Sequence, residues 1–171
     1  MTSFLGGLLH PLALPAHALA LLALGLLIAQ QRAQFVPFAA FIVGLAVGLA
    51  AIALAIAATS AVDVLLAGAA LNGLLVALAR PFPMFVSATL AAVAGIALGL
   101  DSPPEVISLS AATVMLIGTG LGAALALAIV ATGASCLTRD WQRIGVRILG
   151  SWIAASAILV LALRFARGLM F

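Results

Sequence analysis

Long apolar runs, each nearly wide enough to cross a lipid bilayer and parted only by short polar breaks, set what this chain can fold into. From residue 12 to residue 163 six such runs follow one another, at about 12–28, 35–58, 62–79, 84–100, 109–137 and 144–163. The breaks are brief: Gln30-Gln31-Arg32, Thr59-Ser60, Arg80-Pro81-Phe82-Pro83, Asp101-Ser102-Pro103-Pro104-Glu105 and Thr138 to Arg143. Only 6% of the 171 residues are charged and 67% are hydrophobic, against roughly 25% charged in a soluble domain. A membrane barrel requires alternating apolar and polar positions, whereas these runs are continuous. Helices are the remaining way to satisfy a backbone in lipid. The expected fold is therefore all-α, a polytopic bundle of six transmembrane helices with very short loops, forming one domain over 1–171.

Charge placement predicts an orientation. Arg32, Arg80, Arg139, Arg143 and Arg147 fall after spans one, three and five or just inside span six, whereas Arg164 and Arg167 fall at the other side with Asp63, Asp101 and Glu105. The positive-inside rule makes the arginine-bearing loops cytoplasmic and puts both termini outside. No basic residue precedes the first apolar run, unlike a signal peptide. The net charge of +3 comes from very few groups and gives no reason to expect nucleic acid as a partner. The single Cys136 excludes an intramolecular disulfide and reads as a small apolar filler.

Three glycine pairs, Gly44/Gly48, Gly95/Gly99 and Gly118/Gly122, put small residues on one helix face four apart, which lets helices approach closely in lipid. Packing inside the bundle is the simpler use of these faces; a seam for a homo-oligomer or a larger membrane complex is the other. Trp141 reads as an interface residue, Trp152 as a packing residue and Asn72 as an interhelical hydrogen bonder. Asp140 among Arg139, Arg143 and Arg147 reads as local charge compensation.

The candidate chemistry lies at the outer end of span one, where both histidines fall in His10-Pro11-Leu12-Ala13-Leu14-Pro15-Ala16-His17. Ionisable groups at membrane depth are costly and mark functional sites. On one regular helix, positions seven apart lie about 10 Å apart, too far to share an ion. Pro11 and Pro15 can bend the segment and bear on that objection. With the carboxylates of Asp63, Asp101 and Glu105 on the same side, two imidazoles would suit a borderline divalent metal such as nickel. The plainer readings are an interfacial histidine, a solvated loop around Asp101 and Glu105, and a first-turn Asp63 stabilised by a helix dipole. No nucleophile–base pair or complete metal shell points to an enzyme.

The segment Gly6-Gly7-Leu8-Leu9-His10-Pro11 through His17, the apolar run to Leu27, the exit Gln30-Gln31-Arg32, and Pro37-Phe38-Ala39-Ala40-Phe41 resemble the HupE/UreJ family, and Arg147-Ile148-Leu149-Gly150 resembles its last span. The resemblance implies a bacterial inner-membrane accessory protein of hydrogenase or urease that takes up nickel as a transported ion, with no permanently bound cofactor. It implies a metal set of His10, His17 and Glu105, joined by Asp101 or Asp63. The chain departs from the family pattern at Ala16, where the family carries Asp. It departs again at Leu98 and Ser102, where a second motif resembling Phe-His-Gly-x-Ala-His-Gly-x-Glu carries its histidines. Those departures motivate the alternative of a non-transporting subunit packed against a larger membrane complex.

Overall fold

A computed structural model describes residues 2–31, 33–54, 61–80, 82–104 and 108–168. The described residues form seven α-helices and no strand: α1 Thr2–Ala13, α2 Pro15–Ala29, α3 Phe35–Ala53, α4 Val62–Leu78, α5 Met84–Leu100, α6 Leu109–Ser135 and α7 Asp140–Gly168. Glu105, Arg32, Thr59 and Ser60 lie outside the described residues.

The expected helical class holds; the count of six spans is not confirmed. α3, α6 and α7 are long and apolar enough to cross a membrane, and α1 with α2 makes a fourth span if that bent pair is counted as one. α4 and α5 are apolar helices of 17 residues each. At 1.5 Å per residue such a helix is about 26 Å long, less than the hydrocarbon thickness of about 30 Å. The first expected span, 12–28, is corrected most. Ahead of it stands a separate helix, α1, which composition hid because its Gly6, Gly7 and Pro11 argue against helix.

α2 is the axle of the bundle. Ala23 and Leu24 are fully buried, and Leu21, Leu27 and Ile28 almost so. It packs against α4 and α6 and touches α5 and α7, while three tight pairs surround it: α1 with α6, α3 with α5, and α4 with α7. The opposite faces of the outer helices stay apolar and exposed, as at Val43 and Val47 on α3, Ile117, Leu121 and Ile129 on α6, and Trp152, Leu159 and Leu163 on α7. In water such surface would far exceed the few hundred Å² that a soluble monomer exposes; in lipid it carries no penalty. Trp152 is thus an outward residue, not the packing residue its sequence context suggested.

Glycines make the pairs possible. A methyl group on Gly95 would run into the backbone of Phe41 and Leu45, and one on Gly99 into that of Gly48 and Leu49. Gly44 and Gly48 meet the α5 backbone at Ala92 and Ile96 in return. Gly118 and Gly122 likewise face the α1 backbone at Phe4 and Leu8. All three glycine pairs are used within the chain, with backbones in direct contact and no room for a second molecule on those faces.

The C-terminal ends of α2 and α4 are tied by glutamines. Gln30 Nε2 donates to the Val76 carbonyl at 3.2 Å, and Gln31 Oε1 accepts the Phe82 amide at 3.4 Å. α4 ends at Ala79 in the left-handed region (φ 50°), where its amide reaches back to the Leu75 carbonyl, a helix stop usually given to glycine. Asn72 is buried on α4, and its Oδ1 accepts no hydrogen bond among the described residues.

Gly95→Leu should force α3 and α5 apart and lower stability in detergent by about 1–3 kcal/mol or more, whereas Gly68→Ala, in open space, should be neutral or stabilising. SDS-titrated unfolding of both variants checks the pair; equal stability would contradict the close packing.

Candidate functional site

Proline chemistry builds the site. Pro15 at the first position of α2 disfavours helical geometry at the residue before it, and Leu14 is extended at φ −95°, ψ 119°. Proline itself suits a helix start because its missing N–H would be unpaired there anyway. The chain therefore leaves α1 and restarts as α2 at an angle of 74°. Pro11, inside α1, further weakens the hydrogen-bond ladder just before the break.

The bend removes the geometric objection to the two histidines. His10 sits in the last turn of α1 and His17 in the first of α2, and their ring centroids lie 5.6 Å apart in an edge-to-face arrangement (72°). That is well short of the roughly 10 Å separation on a straight helix.

His17 is fully buried, and its Nε2 lies 3.0 Å from Oδ2 of Asp101. Asp101 caps the C-terminus of α5, and its other oxygen accepts the Ala61 amide at 3.1 Å, immediately before α4. One carboxylate thus joins α2, α5 and the start of α4. An ionised carboxylate only accepts hydrogen bonds, so Nε2 of His17 donates and a neutral ring presents Nδ1 as its lone pair. Nδ1 of His17 and Nε2 of His10 are both buried atoms without a hydrogen-bond partner among the described residues. Carboxylate-oriented imidazoles with the second nitrogen free are the usual preparation of a metal ligand.

The site is incomplete as a resident metal centre. Among the described residues no group of three or more His, Cys, Asp or Glu side chains is placed to hold an ion, while a structural zinc site takes four ligands. Two nitrogens beside one carboxylate suit a transient stop for a cation rather than permanent ligation.

The remaining expected ligands divide. Asp101 joins the histidines, Glu105 lies outside the described residues, and Asp63 pairs with Arg164 (Nε to Oδ1 2.6 Å) across α4 and α7. Asp63 stands in the first turn of α4, the dipole position its sequence context predicted. A cavity of about 340 Å³ beside the bend is lined by Leu14, Pro15, Ala16, Asp101 and Arg164 among others, so Asp101 stands between this opening and the enclosed His17. Sequence reasoning missed Arg164 as the partner of Asp63 and the Ala61 amide as the partner of Asp101. Neither contact has a local signal, since the partners lie 101 and 40 residues apart.

Asp101→Ala strands both the His17 ring and the Ala61 amide and should cost about 2–5 kcal/mol of stability, since each buried unsatisfied polar group costs about 1–3. Asp101→Asn, keeping the shape, should cost less. Asp63→Ala, breaking a half-exposed pair, should cost about 0–1 kcal/mol. Unfolding titrations on the three variants measure the order; an unaffected Asp101→Ala would refute the described contacts.

Among known proteins, no curated protein and no solved structure matches the chain. A protein-family model with the description HupE / UreJ protein matches residues 1–160. With a histidine-bearing first helix pair, an apolar helical bundle and a match over nearly its whole length, the chain belongs to the HupE/UreJ family.

Proposed function

We propose that the protein is a membrane permease for a divalent transition-metal ion, nickel being the cargo that the family favours. The observation that carries this reading is the bend at Leu14, which sets two imidazoles 5.6 Å apart with unpartnered buried nitrogens. Imidazole nitrogens suit nickel, copper, zinc and iron, whereas calcium and magnesium prefer oxygen ligands. Asp101 faces the cavity and draws a cation toward the ring it orients; His17 and His10 then take it on their free nitrogens. A two-nitrogen stop holds an ion weakly, and conduction needs a site that releases what it binds. The carboxylate that the family pattern puts at position 16, where Ala16 stands, is supplied in this reading by Asp101 from α5.

The orientation proposed with this function has the arginine-bearing ends of α2, α4 and α6 in the cytoplasm, both termini outside, and the histidine pair at the outer side of a bacterial inner membrane. The reading as a non-transporting subunit is favoured by one observation, the small ligand set among the described residues. Against it, the three glycine faces that would have made its contact surface pack inside the chain.

Nickel accumulation in cells expressing the chain tests the proposal. The wild type should raise uptake, His10→Ala and His17→Ala should each lower it at least tenfold, and Asp101→Asn should lower it less. Uptake that is the same with and without the protein, or unchanged in both histidine variants, would exclude this function; stoichiometric partners in mild detergent would then favour the subunit.

A further inference from the structure

At the end of the bundle away from Asp101, a cavity of about 400 Å³ opens between the C-terminal ends of α2, α4 and α6 and the first turns of α7. Its walls carry three guanidinium groups, Arg80, Arg143 and Arg147. Each comes from a different constraint: Arg80 follows the left-handed stop at Ala79, while Arg143 and Arg147 lie four apart on one face of α7. Arg147 is anchored, its Nε donating to the Ala77 carbonyl at 3.0 Å, which leaves its terminal amino groups for another acceptor.

Among the described residues no carboxylate forms an ion pair with these arginines. Among the described residues the ion pairs are His17–Asp101 and Arg164–Asp63, both at the other end. Asp140, which the sequence suggested as local compensation, opens α7 without an ion pair to any of the three. We propose that the cavity binds the phosphodiester headgroup of an anionic glycerophospholipid.

Guanidinium groups recognise phosphate oxygens through paired N–H donors, and the chain uses arginine throughout, with no lysine. Basic pockets between membrane helices are a recurring form of lipid headgroup site. The surroundings select a lipid over a free anion. Leu137 and Val146 share the lining with the arginines. Ile144 and Ile148 are exposed on α7, and Leu78 at the end of α4, giving acyl chains an apolar track leading from the headgroup. Trp141, 67% exposed, stands one turn from the cavity, at the depth where tryptophans mark a membrane interface. The site involves neither histidine and is independent of what the protein transports.

Native mass spectrometry of the full chain released from mild detergent, after exposure to equimolar phosphatidylglycerol and phosphatidylcholine, tests the assignment. One phosphatidylglycerol per chain should be retained in preference to phosphatidylcholine. Arg143→Gln, whose side chain makes no hydrogen bond to a described residue, should weaken retention about fivefold, as removal of one interfacial cationic contact does. The Arg143→Gln/Arg147→Gln pair should weaken it further, and Arg139→Gln, outside the cavity lining, should leave it unchanged. Equal retention of phosphatidylcholine, undiminished binding by Arg143→Gln, or displacement of the lipid by millimolar inorganic phosphate would each overturn the proposal, the last by making the site one for a free anion.

Discussion

The break between Ala13 and Pro15 governs the arrangement of everything at the histidine-bearing end of this bundle. A proline at the first position of α2 holds Leu14 extended, and the 74° turn that follows sends α1 along α6 while α2 enters the centre. Without the turn, His10 and His17 would stand two helical turns apart. With it, the two rings meet, His17 fully and His10 partly buried, each with a buried nitrogen that has no partner among the described residues. Asp101 then fixes the result by bonding His17 and the Ala61 amide together. A fully buried polar ring needs such a partner, because stranding it costs as much as a good hydrogen bond contributes.

Around this point the scaffold is held by close backbone approach rather than large side chains. Lipid offers no hydrophobic drive between helices, so packing and small residues carry association. The pairing of α3 with α5 through Gly44, Gly48, Gly95 and Gly99, and of α1 with α6 through Gly118 and Gly122, leaves α2 enclosed and its N-terminal end at a fixed distance from α5. The two ends of the bundle differ in charge. Asp101 and the Asp63–Arg164 pair stand at one end, and three arginines without an ion pair among the described residues surround a cavity at the other.

Much of this was legible in the sequence, for physical reasons that also mark where legibility stops. Continuous apolar runs announced helices, and Arg80-Pro81-Phe82-Pro83 marked a boundary because proline cannot extend a helix. The glycine spacing announced close helix approach, though not that α3 would meet α5. α1 escaped notice because Gly6, Gly7 and Pro11 are poor helix formers, and only its packing against α6 overrides that preference. The count of six spans is left unconfirmed at α4 and α5, whose 17 residues are apolar but at the short end of what crosses a bilayer. In the site, Pro11 and Pro15 signalled a bend, and His10, His17 and Asp101 were named together as candidates. That Asp101 would select His17, and Asp63 Arg164, depends on helix register across the bundle, to which no local pattern speaks.

The central claim is that the bend makes one ion stop from two histidines, and nickel-edge X-ray absorption of the nickel-loaded full chain in lipid nanodiscs tests it most directly. The account predicts the multiple-scattering signature of two imidazole ligands in the wild type, falling to one in His10→Ala and in His17→Ala alike. A spectrum of oxygen ligands alone, unchanged by either substitution, would contradict it.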